Sequence, residues 1–343
     1  MNTNKLFEQL IARENLSTSQ MQSIMQACMQ GELSDVQIAT FLALMRAKGE
    51  TVEELTAAAT VMMELAHHID LGDDLIDIVG TGGDGKNTFN VSTISSFVVA
   101  AAGVNVAKHG NRSVSSRSGS ADLLLHAGFE LKLSDGQLKE CMRQCHVSFL
   151  FAPHFHQAMQ YARNARQQLG IRTLFNLLGP LVNPARVKKQ VVGVFAKHWL
   201  EPLAKVLVNL GSQRVLVINS RDGMDEVSIS AVTDIVEYQN GQYKQWSINP
   251  NDYGCYHPTL DKIIVDSPAQ SLTLAKEVFE GQQGPARDIV LLNAALALYC
   301  ANPNVSFNEA IMKAKQTIDS GEAGRRFEQL KNLTHRAKNE HSS

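Results

Sequence analysis

Apolar residues in the first seventy positions recur every three or four places, the spacing that lines one face of a helix. Met21, Ile24, Met25 and Cys28 form one such set, and Ile38, Phe41, Leu42 and Met45 another. Three capping boxes punctuate the stretch: Ser17 with Gln20, Ser34 with Gln37, and Thr51 with Glu54. In each, a side-chain oxygen takes an orphan backbone N–H while the Gln or Glu reaches back, so each predicts a helix start. Gly31 and Gly49 stand where the first two helices stop. The pattern predicts a small all-helical domain over residues 1–70. Its apolar faces exceed what so small a unit buries alone, and a second subunit is the expected cover.

From Leu75 the period changes. Leu75 to Val79 reads as a strand, Ser92 to Ala102 as a helix and Val104 to Ala107 as the next strand. Later runs at Gln190 to Phe195 and Arg214 to Asn219 flank a helix between about Trp199 and Leu210. Strand, helix, strand repeats imply right-handed crossovers and a mostly parallel sheet. Thr233 to Gln239 and Gln242 to Ile248 flank Asn240-Gly241, a hairpin signal that adds antiparallel character. The tail reads as helical again, with a capping box at Ser306 and Glu309, and no internal repeat stands out. The fold class is therefore α/β, a large domain with a mostly parallel central sheet beside the small helical one.

Composition narrows the function classes. Lys and Arg number 32 against 34 Asp and Glu, with no basic tail, so nucleic acid is not an expected partner. No apolar run approaches a membrane span, and Met1 to Leu10 lacks the charged-then-apolar layout of a secretory signal, so the expected place of action is the cytoplasm. Cys28, Cys141, Cys145, Cys255 and Cys300 are odd in number and scattered, which fits reduced core thiols. Cys141, Cys145 and His146 lack the second ligand cluster that a zinc site needs.

The candidate chemistry begins at Gly80-Thr81-Gly82-Gly83-Asp84-Gly85, just past a predicted strand. Glycines there let backbone N–H groups approach phosphate oxygens. A dinucleotide fold places an acid at the end of the next strand, yet Lys108 and His109 stand there and suit a phosphate better. A Walker reading fails at Asn87, which lacks the metal-ligating hydroxyl. Thr88, Asn90, Ser92 and Thr93 sit at a helix start, where caps and free donors gather. The run from Lys108 to Ser120 adds a second donor-rich segment, enough for a ligand with two phosphorylated ends. Asp225-Glu226, beyond the strand ending near Asn219, offers carboxylates that hard cations prefer.

The strings GTGGDG, NVST, KHGNRSVSS and SGSAD occur in order, followed by FAPHFH, RQQLGIRT, FNLLGPLVNP and DEVS. Together they resemble the signature of anthranilate phosphoribosyltransferases, from the amino-terminal helices to about Glu309. The resemblance implies a nucleoside phosphorylase-like fold, a homodimer through the helical domains, and transfer of the phosphoribosyl group of phosphoribosyl pyrophosphate to the amine of anthranilate in tryptophan biosynthesis. It also implies that part of about 160–185 joins the helical domain, leaving 74–160 and 186–343 as the α/β domain.

Carried across by motif, the resemblance gives phosphoribosyl pyrophosphate to Gly80, Gly83, Asp84, Thr88, Asn90, Val91, Ser92, Thr93, Lys108, Asn111, Arg112, Ser113, Ser115, Ser116 and Ser120. Anthranilate falls to Gly80, Asn111 and Arg166, with His109 and His156 near its path. Lys108, Asp84 and Arg166 are the implied catalytic set. Two Mg2+ ions are implied, one at Ser92 and a second at Asp225 with Glu226. The family commonly has Pro after FAPHFH, where this chain has Gln157 at the anthranilate entrance. Two alternatives remain at this stage. A pyrimidine nucleoside phosphorylase needs no acidic clamp for inorganic phosphate, and a non-catalytic nucleic-acid-binding homologue would show a basic surface and a broken metal motif.

Overall fold

The computed structural model describes residues 2–113 and 117–340. Four helices open the chain: α1 (Thr3–Ile11), α2 (Thr18–Met29), α3 (Asp35–Lys48) and α4 (Val52–Leu65). The last three start at the three capping boxes, each with both reciprocal hydrogen bonds made. Glu54 does more than cap. It is fully buried, accepts the Leu16 N–H at 2.8 Å and pairs with Lys48 at 2.8 Å, tying three segments together.

Next come β1 (Leu75–Gly80), α5 (Val91–Ala101), β2 (Asn105–Gly110), α6 (Ser120–His126), α7 (Asp135–Cys145) and β3 (Val147–Phe151). The short α8 (Ala152–Phe155), then α9 (Gln160–Leu169) and α10 (Leu174–Leu178), lead to β4 (Lys189–Gly193), α11 (Leu200–Asn209) and β5 (Arg214–Ser220). A hairpin, β6 (Thr233–Gln239) and β7 (Gln242–Ile248), is followed by α12 (Pro268–Phe279), α13 (Pro285–Ala301), α14 (Phe307–Asp319) and α15 (Glu322–Glu340). Asn240 and Gly241 both take positive φ, 50° and 80°, which gives the hairpin the twist its strands need.

The strands form one sheet in the order β3-β2-β1-β4-β5-β6-β7. Pairings from β3 through β5 are parallel, and only those of β6 are antiparallel. The chain leaves β1 toward β2 on one side and later returns to β4 on the other. That reversal opens a crevice at the carboxyl end of β1, where ligands of such sheets bind.

Both sheet faces are covered. On β5, Leu216 and Ile218 face the core shared with α5 and α13, while Val215 and Val217 face the core shared with α11 and the amino-terminal helices. The second core also takes Ala162 and Ala165 of α9 and Leu174, Phe175, Leu177 and Leu178 of α10. A strand buried on both faces reads as an unbroken apolar run, and Val215-Leu216-Val217-Ile218 does so. All five cysteines are free and buried. No helix among the described residues is long and apolar enough to cross a membrane.

Candidate active site at the end of β1

The glycine loop leaves β1 at the crevice, and Gly82, Gly83 and Gly85 carry positive φ of 63°, 74° and 76°, a conformation that side chains resist. Gly80 has a different reason. A Cβ there would collide with the Asp225 carboxylate, and one at Gly193 in β4 with the Asp225 carbonyl oxygen. The two strand ends are bare so that the Asp225-Glu226 turn can cross them. Asp225 then accepts the Gly82 N–H at 2.8 Å and Glu226 accepts the Ser92 N–H at 3.1 Å. Residues more than a hundred positions apart thus meet between the glycine loop and the start of α5.

This turn carries strong electrostatic stress. Burial, and then the neighbouring Asp84, push the Asp225 carboxyl up to about 7. Burial, then Asp225 and Asp84, raise Glu226 well above the usual carboxylate range. Lys108 is 3% exposed and donates to the Ile78 carbonyl at 2.6 Å. Burial lowers its pKa, while Asp77, Glu226 and Asp225 act in the opposite sense. Ionising all three carboxylates would set more negative charge here than one lysine balances, and a divalent cation relieves that excess. Among the described residues no three His, Cys, Asp or Glu side chains gather as a metal cage. Mg2+ does not need one, because it binds through one or two carboxylates, waters and substrate phosphates.

The remaining phosphate-binding candidates are distributed less simply. Asn90 precedes α5 but makes no side-chain cap, contrary to the capping expected there. Its amide is engaged elsewhere: the oxygen accepts from Ser118 and Ser271, each at 2.8 Å, and the nitrogen donates to the Ser118 carbonyl at 3.0 Å. Thr93 is buried with an unpartnered hydroxyl, Val91 is buried, and Thr88 bridges to Ile264. Asp122 gathers the Ser113 and Gly119 N–H groups at 2.8 and 3.0 Å, which folds the loop back to Ser120 at the start of α6. A Cβ at Gly119 would strike the Ser113 nitrogen. Asn111 accepts from the N–H of Arg112 at 2.7 Å. Ser115 and Ser116 lie outside the described residues.

The anthranilate candidates divide into two places. His109 and His156 are buried with ring centroids 5.3 Å apart. Burial drives His109 well below its ordinary pKa, helped by His156 and Lys108, and lowers His156 to about 4. Arg166 stands over Phe175 at 5.2 Å, and burial lowers its pKa. Three neighbours are not singled out by the sequence pattern. Arg172 stacks on Phe195 at 4.5 Å and lies beside Gly83. Asp77 and Asn183 are buried and joined at 2.8 Å. A lone acid within the apolar run Leu75-Ile76-Asp77-Ile78-Val79 was the one available signal.

Comparisons with known proteins bear on this geometry. Residues 72–324 match the glycosyl transferase family, a/b domain, and residues 4–66 match its helical bundle domain. Anthranilate phosphoribosyltransferase of Legionella pneumophila strain Paris is 68% identical over 329 residues, 96% of each chain. The chain belongs to the anthranilate phosphoribosyltransferase family. Its relative in Hydrogenovibrio crunogenus is 46% identical over 325 residues, 94% of this chain and 96% of that one. The crystal structure of the Thermus thermophilus enzyme superposes with a TM-score of 0.89 at 37% identity, covering 98% of this chain and all of the other. A Saccharomyces cerevisiae anthranilate phosphoribosyltransferase in complex with PRPP and Mg gives 0.89 at 27% identity, covering 97% and 98%.

Two buried groups near this crevice have their pKa values shifted in opposite directions. Asp77 is raised by burial to about 6, so below that pH the folded protein takes a proton that the unfolded chain accepts only near 3.8. Stability from Asp77 therefore rises as pH falls through that window, by on the order of 3 kcal/mol. His156, held near 4 against 6.5 unfolded, refuses a proton that the unfolded chain takes, so its contribution falls by a similar amount over its own window. Asp77→Asn should thus lose stability more steeply than wild type between pH 7 and 5, and His156→Gln less steeply. Urea midpoints at the two pH values measure this, and parallel changes in all three proteins would contradict the assignment.

Proposed function

We infer that this chain transfers the phosphoribosyl group of phosphoribosyl pyrophosphate to the amine of anthranilate, giving phosphoribosylanthranilate and pyrophosphate. The observation that carries this reading is the meeting of the glycine loop, Lys108 and the Asp225-Glu226 turn at the β1 crevice. The surroundings of Asp225 and Glu226 give neither alternative reading any support.

Departure of pyrophosphate from the ribose carbon is the difficult step, because it builds negative charge on the leaving oxygens. Mg2+, when bound at Asp225, Glu226 and Ser92, supplies positive charge to those oxygens. Lys108 and the glycine-loop amides beyond Gly82 take the rest. Asp84 shares the acidic field that draws the cation in. The amine of anthranilate carries its lone pair at neutral pH, so His109 and His156 have no proton to remove before attack, and the proton the nitrogen sheds after the C–N bond forms passes to solvent. Arg166 offers a desolvated guanidinium for the substrate carboxylate, and Asn111 orients the amine.

Two ions per site, a homodimer through α1 to α4, and the assignment of residues 1–70 with about 160–185 to one domain complete the proposal, with the cytoplasm as the place of action. Mixing the protein with anthranilate, phosphoribosyl pyrophosphate and magnesium should extinguish anthranilate fluorescence, and absence of turnover would end this reading. Arg166→Ala should raise KM for anthranilate by at least about tenfold, the worth of a lost charge-assisted contact, while binding of phosphoribosyl pyrophosphate changes little. Calorimetry showing the reverse order would remove Arg166 from the anthranilate position.

A further inference from the structure

The segment between α10 and β4 is laced to the sheet by side chains, and the lacing ends on His109. Asn183 donates to the Asp77 carboxylate at 2.8 Å and to the Ala107 carbonyl at 2.9 Å, while its oxygen accepts the Ala185 N–H at 2.9 Å. The other Asp77 oxygen accepts the backbone N–H of His109 at 3.2 Å, which holds the strand position of that residue. His156 donates from Nε2 to the Val182 carbonyl at 2.9 Å, and the His109 ring bonds the backbone of Gly179. Asp77, Asn183, His109 and His156 are each at most 7% exposed.

The Gly179 contact sets the tautomer, and the Asp77 and Asn183 contacts set the backbone that carries the ring. His109 is neutral, with its ring proton directed at Gly179, so the lone pair belongs to Nε2. That Nε2 is buried and has no hydrogen-bond partner. Buried polar atoms are nearly always satisfied, and one left open on the residue that follows Lys108 in β2 calls for a donor from the ligand. The aromatic amine proposed as nucleophile has two such N–H donors and presents its lone pair in a third direction. An acceptor held on one N–H therefore sets the direction of the lone pair.

We propose that Asp77 and Asn183 are positioning residues that hold His109 with Nε2 as the acceptor for an N–H of the aromatic amine. This rests on the transfer reaction above. Asp77→Asn sets two amide donors against each other across the 2.8 Å contact, which loosens the lacing without changing side-chain size. Asn183→Leu removes the three Asn183 hydrogen bonds together.

The test is a double-mutant cycle on steady-state kinetics. Asp77→Asn and Asn183→Leu should each raise KM for anthranilate at least about tenfold, and in Asn183→Leu, which removes no charge beside Lys108, KM for phosphoribosyl pyrophosphate should stay within about twofold. Added to His109→Ala, Asp77→Asn should raise KM for anthranilate no further, because its effect acts through that ring. Effects that multiply in the double variant, or KM values that rise together for both substrates in Asn183→Leu, overturn the proposal. Should Asp77→Asn and Asn183→Leu give too little folded protein, Asn183→Ser carries the same cycle. Wild-type turnover in the same assay separates the two failures: without it the transfer reading falls, and with it an additive cycle sinks the positioning role alone.

Discussion

Replacing Asp225 and Glu226 together by Asn and Gln should raise the magnesium concentration for half-maximal rate by at least about 10²-fold, because Mg2+ is held by few protein carboxylates and both are lost. The backbone hydrogen bonds should survive, since an amide oxygen still accepts from Gly82 and Ser92. The charge that opposes folding in metal-free protein is removed at the same time. Asp225 and Glu226 are buried beside each other and Asp84, and each raises the cost of ionising its neighbours. The double variant should therefore melt at a higher temperature than wild type in magnesium-free buffer while it loses activity, a trade common at functional sites. A magnesium titration and a melting curve decide this. An unchanged titration excludes the pair as metal ligands.

Lys108→Ala should lower turnover by more than about 10⁴-fold, whereas His109→Ala and His156→Ala should each stay within the roughly 10²- to 10⁴-fold range of lost general acid–base catalysis. Lys108 is the buried cation that faces Asp77, Asp225 and Glu226, and its loss removes fixed positive charge from the place where pyrophosphate departs. The histidines are neutral near pH 7, because burial holds His156 near 4 and His109 well below its ordinary value. A neutral imidazole lends orientation and a weak hydrogen bond, and an amine that is already neutral asks no more of it. The kcat/KM profile should accordingly show no inflection from these rings near pH 6.5. Single-turnover rates test the ranking. A histidine variant with intact substrate binding and turnover below that range would establish an essential proton transfer.

What the sequence determined alone lies within a few residues of chain. The three early capping boxes start helices because donor and acceptor stand three positions apart. Asn240-Gly241 makes a hairpin because both residues tolerate positive φ. The glycine loop follows a strand for the same local reason, and the alternation of strands and helices implied a mostly parallel sheet. The helix α13 is buried nearly all round, so its sequence carries no amphipathic period that would mark its bounds.

The tertiary structure alone decided how distant segments share the crevice. Asp225 reaches Gly82 across 143 residues and Asn183 reaches Asp77 across 106, and no local pattern encodes either meeting. It gave Gly80 a steric reason, turned Asn90 from a cap into a tie to Ser118 and Ser271, and set Arg172 beside Gly83. The same holds for charge: Asp77, Asp225, Glu226, His109 and His156 look like ordinary titratable residues in the sequence. Their pKa values moved because folding withdrew water from them and set like charges together, and both effects exist only once the chain has closed.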